Sequence, residues 1–207
     1  MYRHAKQIIE SGTSFAEAKN ALILLHGRGA TAESIMNLAN QFDLKETVVF
    51  SPQATNNSWY PFSFMAPVDQ NQPALNSALE IIAELVQNIV ENDIAAERIF
   101  FAGFSQGACL ALEYVTRNAQ IYGGVIAYTG GLIGENLNFS NYHGDFNCSP
   151  ILITTGDPDP HVPLLRVKET VTLLEKMNAK VTLKIYKGRN HTIQMEEIDL
   201  ANQLIFK

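Results

Sequence analysis

Apolar residues recur along this chain in two rhythms. Short unbroken runs, rich in β-branched and aromatic side chains, stand at ALILLHG (21–27), TVVFSPQ (47–53), RIFFAGF (98–104), GGVIAYTG (123–130) and ILITTGD (151–157). Runs of this length and content predict buried strands. KVTLKIYKG (180–188) alternates apolar and polar positions, as a strand at or near a sheet edge does. Between these runs the spacing changes to i, i+3, i+4. Residues 31–42 place Ile35, Leu38, Ala39 and Phe42 on one face, and residues 74–92 do the same with Leu75, Ala78, Ile82, Leu85 and Ile89. Residues 105–119, 163–179 and 192–206 complete the predicted helices.

Strand and helix therefore alternate from about residue 21 to residue 206. With strands that are continuously apolar, this predicts an α/β fold in which helices cover both faces of a mostly parallel sheet. The 207 residues, with no linker, repeat or low-complexity stretch, are expected to form one domain. KQIIES near the start carries a fainter strand signal. The one long irregular connection, residues 132–150, is too short for a separate cap domain, and loops of this length are often functional.

Composition narrows the partners. A net charge of −6 argues against nucleic acid or an anionic membrane surface, which call for clustered Lys and Arg. Cys109 and Cys148 form no CxxC pair or zinc spacing, so reduced thiols are expected, with one disulfide as the alternative. MYRHAKQIIESGTSF lacks the apolar core of a signal peptide, and no apolar run approaches a membrane span. The expected location is the cytoplasm.

One junction carries chemistry. Gly103-Phe104-Ser105-Gln106-Gly107 fits G-x-S-x-G between a predicted strand and a predicted helix, the context that motif requires. Read blandly, Ser105 is a helix cap; read chemically, it is a nucleophile that needs a base. The order associated with this motif is serine, acid, histidine. His4 and His26 precede the serine, His143 precedes the better acids, and His161 follows Asp159 too closely. His191 remains, in the loop between the last strand and the last helix. The loop after the strand at 151–157 offers Asp157 and Asp159, and spacing alone leaves both open, with Asp159 stiffened by Pro158 and Pro160. An oxyanion hole needs two backbone N–H groups. Gln106 follows the serine at a helix start, and in LLHGRGA the glycines Gly27 and Gly29 let the Arg28 N–H turn toward the site.

In that order, LLHGRGA, GFSQGA, GDPDPHVPLLRV and KGRNHTI resemble the phospholipase/carboxylesterase group of α/β-hydrolases, the small serine esterases without a cap domain that include acyl-protein thioesterases. The resemblance spans about residues 20–205. It implies the α/β-hydrolase fold, Ser105 as nucleophile, Asp159 as acid, His191 as base, and the Arg28 and Gln106 amides as oxyanion hole. This group usually has glycine before the histidine, where this chain has Asn190, a residue tolerant of unusual backbone angles. Relatives often carry an aspartate near Trp59-Tyr60-Pro61, a difference that bears on the pocket. The aromatic segment in the 53–68 loop lies after a strand's carboxyl end, where ligands bind in open α/β sheets. Trp59 and Phe64 are thus either core packing or the lining of an acyl or alcohol pocket, and the apolar stretch 59–68 is a candidate homodimer contact.

The expected activity is hydrolysis of carboxylic esters or thioesters through an acyl-enzyme, on a small-molecule or acylated-protein substrate, with no cofactor and no metal. The alternatives are a binding protein that retains the pocket without hydrolysis, and a peptidase or acyltransferase using the same three residues.

Overall fold

The computed structural model describes residues 2–206. Seven strands form one sheet: β1 (Ile8–Gly12), β2 (Asn20–Leu25), β3 (Thr47–Pro52), β4 (Ile99–Phe104), β5 (Gly124–Tyr128), β6 (Pro150–Asp157) and β7 (Lys180–Lys187). Their spatial order is β1-β3-β2-β4-β5-β6-β7. Only β1 runs antiparallel, pairing Ile8 with Pro52 and Gly12 with Val48. All other neighbours are parallel; α1 (Ala32–Ala39) lies between β2 and β3, α2 (Ala74–Glu91) between β3 and β4, α3 (Gln106–Arg117) between β4 and β5, and α4 (Leu164–Lys176) between β6 and β7, while β5 and β6 are joined by an irregular connection and α5 (Met195–Leu204) follows β7.

The two faces of the sheet divide the core by residue parity, because side chains alternate along a strand. Ile23, Leu25, Phe101, Val125, Ala127 and Ile153 pack with α2, α3 and α4. Leu22, Leu24, Ala102, Ile126, Tyr128 and Leu152 pack with α1 and α5. Both neighbours of each central residue in the chain are thus buried, which is why β2, β4, β5 and β6 read as unbroken apolar runs. β7, at the edge, keeps its alternation and is only half-buried. β1 is mostly exposed, so it lacks the apolar run that made the other strands conspicuous.

No cap domain stands over the sheet among the described residues. The long 132–150 connection holds a single short 3₁₀ turn, Phe139–Asn141, and is anchored from below. The buried Arg166 donates to the carbonyls of Leu132, Gly134 and Glu135, while Phe146 is fully buried. Both cysteines are free thiols, so the alternative of one disulfide is not realised. No described helix is long and apolar enough to cross a membrane.

Candidate active site

The turn from β4 into α3 has almost no room. A Cβ on Gly103 would stand 2.5 Å from the Gly107 carbonyl, and one on Gly107 would stand 2.1 Å from the Leu25 carbonyl oxygen of β2. Two missing side chains therefore allow strand, turn and neighbouring strand to touch. Between them Ser105 takes φ 54° and ψ −117°, a conformation disfavoured for any residue with a Cβ. It is strapped there from both sides: its N–H donates to the Tyr128 carbonyl and its own carbonyl accepts from Cys109, each at 2.9 Å. The side chain makes no capping bond to the helix. It is turned outward instead, and the helix-cap reading has no bond to support it.

Ser105 Oγ lies 2.8 Å from His191 Nε2, and His191 Nδ1 lies 2.8 Å from Asp159 Oδ2. An ionised carboxylate can only accept, and that decides the tautomer of the neutral ring. Nδ1–H donates to the carboxylate, which leaves Nε2 bare to accept the serine hydroxyl. The Asp159 side chain is wholly buried and that of His191 is 15% exposed. Burial pushes the Asp159 carboxyl up, but the hydrogen bond from His191, the His161 and Val162 amides and the His191 charge together hold it below the usual value. Those two amides meet its other oxygen, Oδ1, at 2.8 and 2.9 Å. Of the two acids left open by spacing, Asp159 is the one that meets the histidine. The tight turn in this loop falls on Gly188, at φ 69°, and Asn190 is outside the left-handed region, so its position needs no special tolerance.

A cavity of about 490 Å³ opens over Ser105. Arg28 and Gln106 both border it, and neither backbone N–H donates to another group of the chain among the described residues. Phe64 lines the cavity, as the sequence allowed, but Trp59 does not. Trp59 is completely buried behind the wall, its indole N–H donating to the His26 carbonyl at 2.8 Å. Tyr60, Pro61 and Phe62 take the wall instead. Cys109 sits at the floor, and burial pushes its thiol up to about 12, which leaves it protonated and unreactive.

Several contributors were not visible as motifs. The Gln106 side chain accepts from Trp59 N at 3.0 Å and donates to the Tyr60 carbonyl at 2.8 Å, so the residue holds the aromatic loop as well as offering its amide to the cavity. His26 donates from Nδ1 to the Gly27 carbonyl at 2.8 Å and accepts at Nε2 from Ala54 N at 3.1 Å. His4 does the equivalent, donating to the Trp59 carbonyl at 2.9 Å and accepting from Thr55 N at 3.1 Å. Each ring has to be neutral to accept a backbone N–H, and burial lowers the pKa of both. Nothing in the spacing of these histidines marks them as clamps on a loop 28 to 55 residues away.

This pair sets a pH dependence. A histidine whose folded pKa is depressed binds fewer protons folded than unfolded, so its stability contribution is complete above the ordinary value of 6.5 and is lost as pH falls below it. Denaturant midpoints are expected to fall between pH 7.5 and pH 5.5, and the fall is expected to shrink in His4→Gln. Trp59, the one tryptophan, reports the same event by a red shift in emission. A midpoint independent of pH across that range would show that the two rings do not hold the loop in the neutral form.

The chain matches the family model described as phospholipase/carboxylesterase over residues 4–207. It is 59% identical to the phospholipase/carboxylesterase from Dyadobacter fermentans DSM 18053, whose crystal structure superposes with a TM-score of 0.98 over 100% of this chain and 99% of that one. It is 26% identical to acyl-protein thioesterase 1 of Kluyveromyces lactis over 92% of either chain. The Bacillus cereus carboxylesterase structure, at 19% identity, shares the fold with a TM-score of 0.78 over 96% of this chain and 92% of that one. The chain belongs to the phospholipase/carboxylesterase family of α/β-hydrolases and is a hydrolase of the esterase type.

Proposed function

We propose that the protein cleaves carboxylic esters, and thioesters of the same acyl groups, by acyl transfer to Ser105. The observation that carries this is the unbroken relay from Ser105 Oγ through His191 to Asp159, two contacts of 2.8 Å each. Ser105 Oγ attacks the carbonyl carbon while its proton passes to His191 Nε2. Asp159 keeps the ring in the tautomer that can accept that proton and stabilises the imidazolium once formed. The carbonyl oxygen, now negative, is received by the Arg28 and Gln106 N–H groups, the second at the positive end of α3. Collapse of the tetrahedral intermediate expels the alcohol or thiol, which leaves with the proton from His191. Water then attacks the acyl-serine, gives its proton to the same histidine, and the acid departs as Ser105 is restored.

The test uses a fluorophosphonate probe, which phosphonylates an activated serine and mimics the tetrahedral intermediate. Labelling is expected at Ser105 alone and is expected to be lost in His191→Ala, since an unassisted hydroxyl is a poor nucleophile. Labelling that survives His191→Ala near the wild-type rate would sink the proposal.

A further inference from the structure

The cavity over Ser105 has a charge opposite to that of the chain. The sequence holds 21 acidic and 15 basic residues besides its histidines, yet no aspartate or glutamate lines the cavity, while Arg28, His161 and His191 do. Asp159 is shut away behind His191, with both carboxylate oxygens occupied by hydrogen bonds.

Arg28 is the fixed cation of this wall. Its Nη1 donates to Ser58 Oγ at 3.0 Å and to the Pro61 carbonyl at 2.8 Å, and Nη2 donates to the Phe62 carbonyl. All three acceptors are neutral, so the guanidinium is held in place without its charge being balanced. It forms no ion pair among the described residues. Three bonds leave two of the five guanidinium N–H groups uncommitted.

Tyr60 backs the same wall, its ring 1% exposed and its hydroxyl sealed from the cavity beside the Cys109 thiol. The exposed His161 ring stands edge-on to His191 at 4.9 Å between centroids, and adds ring nitrogens at the mouth. The cavity wall thus carries one fixed positive charge, on Arg28, and no carboxylate.

We infer that the preferred substrates are short esters bearing a carboxylate a few atoms from the scissile carbonyl, with Arg28 as the group that selects them. One uncompensated guanidinium, with no lysine or second arginine on the wall, matches a monoanion better than a dianionic phosphate. This rests on the acyl-transfer reading above, which names the reaction but not the substrate.

Two matched pairs test it, one for each side of the ester bond: monomethyl glutarate against methyl valerate, and 3-acetoxypropanoate against propyl acetate. In at least one pair the carboxylate ester is expected to show a kcat/KM roughly 10- to 100-fold above its neutral match, the range of a charge-assisted hydrogen bond. That advantage is expected to shrink as ionic strength rises, while the neutral ester is unaffected. In Arg28→Gln the ratio within the favoured pair is expected to fall about tenfold or more, and in His161→Leu by less; the ratio is the readout because it cancels any general loss from disturbing the wall. Neutral esters turned over as fast as or faster than their carboxylate matches in both pairs would overturn the substrate class. So would an unchanged ratio in Arg28→Gln, or no turnover of any of the four by protein that still labels with fluorophosphonate at Ser105. No turnover together with no labelling would instead overturn acyl transfer itself.

Discussion

Ser105→Ala is expected to lower kcat for ester hydrolysis by about 10⁴- to 10⁶-fold while leaving the fold intact. The size of the fall follows from what the substitution removes. The hydroxyl is the atom that would form the acyl-enzyme, and it is the one on the cavity wall that meets His191 Nε2; the Cys109 thiol, one turn along α3, is buried and its pKa is pushed up to about 12. What survives is whatever the cavity and the two amides contribute to a direct attack by water. Stability is a separate matter, because alanine keeps the Cβ that makes φ 54° costly. Melting temperatures of wild type and Ser105→Ala are expected to agree within a few degrees. Ser105→Gly removes the steric conflict and is expected to gain about 1 kcal/mol, a few degrees for a chain of this size, while being equally inactive. A stabilised but inert Ser105→Gly would mark the strain as serving the reaction. Esterase activity in Ser105→Ala near the wild-type rate would refute the proposed nucleophile.

The strands β2 to β6 were legible because each is buried on both faces, and burial on both faces writes itself as an unbroken apolar run. β1 was faint for the opposite reason: it lies at an exposed edge, held by backbone bonds to β3 that leave no mark on side-chain choice. Within the site, Ser105 could be read from its flanking glycines because local crowding dictates them. Asp159 and His191 could be ordered along the chain, but choosing Asp159 over Asp157 needed either the family pattern or the 2.8 Å contact. Trp59 shows where reading runs out. A tryptophan in a loop at a strand's carboxyl end fits both a pocket wall and a buried post, and only the indole bond to the His26 carbonyl separates the two. The clamps His4, His26 and the Gln106 side chain act through backbone atoms of distant residues, contacts that place no constraint on the partner's identity and so leave no pattern to find. Arg28 was identified for its amide, whereas the lack of a carboxylate near its guanidinium is a property of the folded wall.

Gly107→Ala carries the largest expected effect on stability, about 4 kcal/mol or more, because the obstacle is backbone on a central strand. The added carbon would meet the Leu25 oxygen at 2.1 Å and the His26 oxygen at 2.6 Å. A flexible side chain could swing aside, but β2 is bonded to β3 on one side and to β4 on the other, so it can shift only by disturbing the centre of the sheet. A loss of that size corresponds to a fall in melting temperature of about 8–16 °C. The damage is expected to reach activity in the fraction that remains folded. The His26 carbonyl that would be displaced accepts the Trp59 indole, and the next residues are Gly27 and Arg28, whose amide is the proposed oxyanion donor. Stability and kcat are therefore expected to fall together, with kcat about 10²- to 10³-fold lower if that donor is misplaced. Thermal melts, with initial rates normalised to fluorophosphonate-reactive protein, measure the two effects separately. A Gly107→Ala protein that melts within 2 °C of wild type would show that β2 and α3 do not meet as closely as these distances require, and the steric reason for the second glycine of GFSQG would fall with it.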